Sequence, residues 1–194
     1  MKSICVLYAT REGHTAKVAK YFAQALTERG LQVDLFEVRD FPFPLGFYDA
    51  AVLAASVHAG HHEMEMVRFV REHRRELDTM HAAFLSITLS EAGVERSDAT
   101  AEEHAGFVND VQMMLDRFYD ETGWHPQHVK PVAGALLYTR YNFLVKLMMR
   151  RIARQAGGST DTSHDVEYTN WADLASYAAE LAAEWAQDPV LQAN

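Results

Sequence analysis

With one cysteine, Cys5, in 194 residues, the chain cannot close an intramolecular disulfide, and the place of that cysteine inside an apolar run makes it a small core side chain. No uncharged apolar run approaches the roughly 20 residues of a membrane-spanning helix. The basic segment and hydrophobic core of an export signal are missing from the start, so the expected location is the cytoplasm. Positive charge is also scarce: a formal net charge of -9 excludes a general nucleic-acid binder, which needs a basic surface to neutralise phosphates.

Several chemistries are excluded by motifs that do not occur. There is no G-x-S-x-G elbow for a hydrolase nucleophile. His58, His61 and His62 lie close to Glu63 and Glu65, but neither H-E-x-x-H nor paired C-x-x-C spacing accompanies them, so no metal is expected. A phosphoacceptor receiver would need acids after the first and third apolar runs. Those places read Ala9-Thr10 and Ala55-Ser56.

What is present begins with Ile4-Cys5-Val6-Leu7, a short apolar run of the kind buried on both faces of a sheet. From Thr15 the pattern changes to helical spacing, through Ala16, Ala19, Tyr21, Phe22, Ala23 and Leu26. Between the two lies Thr10-Arg11-Glu12-Gly13-His14-Thr15, where hydroxyls, a glycine and a helix N-terminus meet. Such a turn suits an anion, because free N–H groups and the helix dipole point at it. A capped helix after a strand is the plainer account of the same residues. The turn has no Lys before its last Thr and only one glycine, so neither a triphosphate loop nor a dinucleotide fingerprint fits, and a monophosphate does.

Further along, Leu31 to Phe36 reads as a second strand, Ala50 to Ala55 as a third, Ala82 to Leu89 as a fourth and Val129 to Tyr138 as a fifth. Helical stretches run from about Glu63 to Leu77, from Glu102 to Thr122 and from Trp171 to Trp185. Strands alternating with helices imply an α/β fold with a doubly wound parallel sheet, and the usual five-stranded arrangement is the flavodoxin-like order 2-1-3-4-5. The turn at Thr10 to Thr15 and the loop Ser56-Val57-His58-Ala59-Gly60 then sit side by side, with Thr88-Leu89-Ser90 beyond them. A planar cofactor carrying one phosphate, flavin mononucleotide (FMN), fits: its phosphate at Thr10 to Thr15 and its ring between the loops after Ser56 and Thr88. The cofactor carries the electron chemistry, so no side chain is assigned a catalytic role.

Charge is unevenly spread. Residues 91 to 121 hold nine acids against Arg96 and Arg117, whereas Arg140 to Arg154 hold five bases and no acid. On a helix turning about 100° per residue, Tyr141, Leu144, Val145, Met148, Met149 and Ile152 share one arc, and Arg140, Lys146, Arg150, Arg151 and Arg154 the opposite one. A basic amphipathic helix is a membrane-surface signature; packing of the apolar arc on the sheet is the alternative.

The residues resemble a known family. Ala9-Thr10-Arg11-Glu12-Gly13-His14-Thr15, the loop Ala55 to His61, and the run from Gly134-Ala135-Leu136 and Tyr138-x-Arg140-Tyr141 to Gly157-Gly158-x-Thr160-Asp161-Thr162 are similar to the flavodoxin-like, menaquinone-dependent protoporphyrinogen IX dehydrogenases. The resemblance implies one flavodoxin-like domain over residues 1–194 with a family-specific insertion at 140–158. It also implies FMN-dependent oxidation of protoporphyrinogen IX to protoporphyrin IX in haem biosynthesis, with electrons passed to menaquinone or ubiquinone. The basic segment then brings the chain to the inner face of the cell membrane as a peripheral protein. An FMN quinone reductase or electron carrier with another donor, and a non-catalytic docking scaffold, stay open, as does the oligomeric state, a homo-oligomer included.

Overall fold

The computed structural model describes residues 3–138 and 163–187. A parallel sheet forms its centre. Strands β1 (Ser3–Ala9), β2 (Gln32–Glu37), β3 (Ala50–His58), β5 (His81–Thr88) and β6 (His128–Ala133) lie in the order β2-β1-β3-β5-β6. A two-residue strand β4 (His61–His62) folds back antiparallel on the end of β3. Setting β4 aside, this is the 2-1-3-4-5 order expected for a flavodoxin-like sheet. The described helices are α1 (His14–Thr27), α2 (Met64–Leu77), α3 (Leu89–Val94), α4 (Ala101–Thr122) and α5 (Trp171–Gln187).

Side chains alternate across a strand, and here both sets are apolar, so both faces need cover. Val6, Val52, Leu85 and Ile87 pack with Val18, Phe22 and Leu26 of α1 and Leu174, Leu181 and Trp185 of α5. On the other face Cys5, Leu7, Leu53 and Phe84 meet Met66 and Val70 of α2, Leu115 and Phe118 of α4, and Trp124. Phe84 and Phe118 stack with their rings 4.3 Å apart. Burial pushes the Cys5 thiol up to about 12, which leaves it an inert core group.

The strand register sets where the loops go. Ala9 lies beside Ala55, Ser56 beside Ile87 and Thr88 beside Ala133. The turn after β1, the hairpin after β3 and the start of α3 therefore leave the same end of the sheet next to one another, which is where ligands bind in open α/β sheets.

Three element boundaries differ from the sequence reading. The fourth strand ends at Thr88, because the Thr88 hydroxyl accepts a bond from Ser90 N and caps α3, so Leu89 and Ser90 belong to a helix. The fifth stops at Ala133. After Gly134 a short strand β7 (Ala135–Leu136) pairs antiparallel with β8 (Val166–Glu167), apart from the main sheet. Third, β3 does not end at Ala55; it continues to His58 and reverses through Ala59 and Gly60, both with positive φ (51° and 79°), the two-residue hairpin geometry. The basic segment 140–158 lies outside the described residues.

Beneath that hairpin His62 is 2% exposed, between Phe84 and Phe118, with Nε2 2.9 Å from the Ser86 hydroxyl and no partner for Nδ1. A protonated ring there would hold an unsatisfied buried charge, and burial, aided by neighbouring His61, lowers its pKa to about 3. The unfolded chain takes up this proton near pH ~6.5 and the folded chain does not, so this stability is full above that pH and is lost as pH falls toward 3. Between pH 7 and pH 5 the loss is about 2 kcal/mol. Urea unfolding at the two pH values should show that loss in the native chain and a correspondingly smaller one in His62→Gln.

Candidate functional site at the end of the sheet

The turn after β1 is braced from within. The Gly13 N–H donates to the Thr10 hydroxyl at 2.9 Å, and Gly13 takes the left-handed conformation (φ 93°) as the N-cap of α1. No side chain caps that helix, so hydrogen-bonding capacity is left at its first turn. Thr15 is 1% exposed and its hydroxyl has no partner. The Ser56 hydroxyl, near the end of the neighbouring strand β3, is likewise buried and unpartnered. A buried hydroxyl without a bond is costly, so these two, one in the first turn of α1 and one near the end of β3, are candidate contacts for a polar ligand.

Other residues of the turn are engaged with their neighbours. Arg11 Nη2 lies 3.2 Å from Glu63 Oε2, and Glu12 Oε2 lies 3.1 Å from His58 Nε2. His14 turns inward. The Thr169 hydroxyl donates to Ala133 O at 2.6 Å, so the bond between His14 Nε2 and Thr169 Oγ1 at 2.8 Å has the imidazole as donor. That places the proton of the neutral ring on Nε2 and leaves Nδ1 a lone pair, 3.7 Å from Glu167 Oε2. Burial lowers the His14 pKa, with Glu167 pulling the other way. Lys17 reaches Glu167 at 2.7 Å and Trp171 Nε1–H donates to the same carboxylate, so residues 167–171 are fastened to the first turn of α1.

The histidines of the β3–β4 hairpin diverge. His58 faces Glu12 and Glu63, His61 pairs with Glu121 at 2.8 Å, and His62 goes to Ser86. Arg117 of α4 donates to Gly60 O at 2.8 Å and holds the hairpin tip. At the third strand end, Thr88 spends its oxygen on capping α3, and Leu89 packs with Leu136, Tyr138, Val166 and Tyr168. Thr10, Thr15, Ser56, His58 and Thr88 thus come together at one end of the sheet. Sequence reading missed Thr169, Glu167 and Arg117 as parts of this region. Only the apolar and hydroxyl residues flanking Thr169 hinted at a return to the sheet, and nothing local marked Arg117.

Comparison with known proteins follows the same lines. A model for the flavodoxin domain matches residues 5–163. The protoporphyrinogen IX dehydrogenase [quinone] of Escherichia coli (strain K12) is 33% identical over 183 residues, spanning 94% of this chain and 95% of that protein. The chain belongs to this flavodoxin-like dehydrogenase family. A further family member, from Leishmania major, is 31% identical over 180 residues, 92% of this chain and 74% of that one. Among solved structures, rubredoxin oxygen:oxidoreductase from Desulfovibrio gigas shares the fold at 10% identity and a TM-score of 0.52, covering 99% of this chain and 37% of that one.

A flavodoxin domain implies a flavin cofactor. The groups at the sheet end fit one: an uncapped helix N-terminus and a spare hydroxyl for an anion, and a second spare hydroxyl one strand away. Where the family's loop turns, the backbone leaves little room for change. A Cβ on Gly60 would sit 2.8 Å from Arg117 Nη1 in a conformation L-residues adopt only with strain. Gly60→Ala should therefore cost about 1–2 kcal/mol by urea unfolding, and Ala59→Gly, which relieves the other positive φ, should not destabilise the hairpin.

Proposed function

We propose that the chain is an FMN-dependent protoporphyrinogen IX dehydrogenase that oxidises protoporphyrinogen IX to protoporphyrin IX and passes the electrons to a respiratory quinone, a step of haem biosynthesis. The observation that carries this reading is the match over 94% of the chain to enzymes bearing that name, with the spare hydroxyls of Thr15 in the first turn of α1 and Ser56 near the end of β3 as its physical support.

FMN, when bound, supplies the two-electron redox chemistry. The chain's part is to hold and orient it. Thr15 Oγ1, the Thr10 hydroxyl and the first N–H groups of α1 bind the phosphate, the helix dipole favouring its charge. Ser56 to Gly60 and Thr88 to Ser90 flank the ring, Ser56 Oγ offering a hydrogen bond and the hairpin excluding water. No nucleophile is required. Among the described residues no helix is long and apolar enough to cross a membrane. The five bases between Arg140 and Arg154, without an acid among them, support approach to an anionic membrane surface, where both quinone and an apolar porphyrin reside.

Anaerobic incubation with protoporphyrinogen IX, FMN and a menaquinone analogue should yield fluorescent porphyrin above the uncatalysed rate; FMN binding without such turnover would assign the chain to another electron donor. Thr15→Val, nearly the same shape without the hydroxyl, should weaken FMN binding about tenfold, the worth of one hydrogen bond. Titration of the apoprotein against flavin fluorescence measures it.

A further inference from the structure

One threonine ties together two parts of the sheet end that no strand pairing joins. Strands β3 and β5 stand between β1 and β6, so no ladder bond holds the turn after β1 against the end of β6. Thr169, just before α5, bridges that gap. Its hydroxyl donates at 2.6 Å to the carbonyl of Ala133, the last residue of β6, and meets His14 Nε2, in the first turn of α1, at 2.8 Å. A hydroxyl has one proton to give, so His14 is the donor of the second bond, and Nε2–H serves whether the ring is neutral or charged. Thr169 is 8% and His14 9% exposed, so water is a poor substitute for either bond. The backbone beside Thr169 is fixed as well, since Tyr168 N–H donates to Gly134 O at 3.1 Å. The other polar tie from this segment to α1 is weaker: Lys17 and Glu167 are 60% and 32% exposed.

We infer that Thr169 is a positioning residue: through His14 it pins the first turn of α1 to the end of β6 and keeps the phosphate seat in its binding shape. This rests on the flavin site proposed above, whose anion donors are the Thr15 hydroxyl and the first N–H groups of α1. Thr169 has no donor left for a phosphate, because its proton is committed to Ala133 O, so it acts through His14. Hydrogen bonds hold only over a few tenths of an ångström and a limited range of angle, so a first turn that tilts weakens several of them together. A flavin ring held by other loops feels much less of that tilt. The strut therefore shows in how far the site prefers a flavin that carries a phosphate over one that does not.

The test titrates apoprotein with FMN and with riboflavin, the same ring without the phosphate, by fluorescence quenching, and checks each variant's fold by circular dichroism. Thr169→Val, which keeps the shape and loses the hydroxyl, should bind FMN about tenfold more weakly while riboflavin stays within about threefold of native. Thr169→Ser, which keeps both bonds, should hold FMN affinity within about threefold of native. His14→Leu should repeat the Thr169→Val loss, and the double variant should lose no more than either alone, because a strut broken at both ends is broken once. A folded Thr169→Val that binds FMN within about threefold of native, equal losses of FMN and riboflavin, no rescue by serine, or additive losses in the double variant overturns the inference while leaving the flavin reading intact. Where riboflavin binds the native chain too weakly to measure, the serine variant and the double variant decide. Should Thr169→Val fail to fold, His14→Leu takes its place in the comparison of the two flavins; failure of both makes the link a requirement of folding and rejects it as a device for positioning the ligand. A native chain that leaves FMN fluorescence unchanged overturns the flavin reading, and the strut's role with it.

Discussion

The pairing of β1 with β3 is the constraint from which the site follows. Two parallel strands, buried on both faces, run in register from Ile4 beside Ala50 to Ala9 beside Ala55, where β1 ends and β3 runs three residues further. Parallel strands need crossover helices, and right-handed crossovers deliver those helices to both faces while leaving the strand ends open. The residues just past Ala9 and Ala55 are therefore neighbours by construction. Each fully buried Val, Leu or Phe of this sheet contributes about 1.5–3 kcal/mol, which is ample to hold a few costly polar groups at its edge.

Those polar groups divide into two sorts. Some are satisfied across long stretches of chain: His14 to Thr169 and on to Ala133, Arg11 to Glu63, Arg117 to Gly60. Others, Thr15 Oγ1 and Ser56 Oγ, are buried and left unpartnered. The first sort fixes the loops and the second leaves capacity for a ligand. A site built this way is rigid before anything binds, which suits a cofactor that carries out the chemistry itself. It also explains why the residues of the turn differ so much in role although they are adjacent. Arg11 faces Glu63 at the start of α2, Glu12 faces His58 of the hairpin, His14 faces residues 167–171, and the Thr15 oxygen has no partner.

The sheet order and the main helices were legible because they are written in local periodicity. Both-face burial leaves continuous apolar runs at β1, β3 and β5, and α2 and α4 carry apolar stripes at helical spacing. The elements that escaped were short. Helix α3 has six residues and follows a strand without a break, so only the Thr88 cap separates them. The β3–β4 hairpin turns through an alanine with positive φ, where Asn, Asp or Gly is the usual signal, and β7 and β8 are two residues each, paired across about thirty residues of chain.

The amino-acid sequence alone determined the α/β class, the strand order and the place of the turn between the first strand and the first helix, because propensity and hydrophobic period act within a few residues. Tertiary structure alone decided which hydroxyls stay unpartnered, that His58 lies between two carboxylates, and that His14 faces Thr169. A polar side chain's partner is whichever group the fold brings within about 3 Å, and here those groups come from positions 46 to 155 residues away in the cases of His58 with Glu12 and His14 with Thr169.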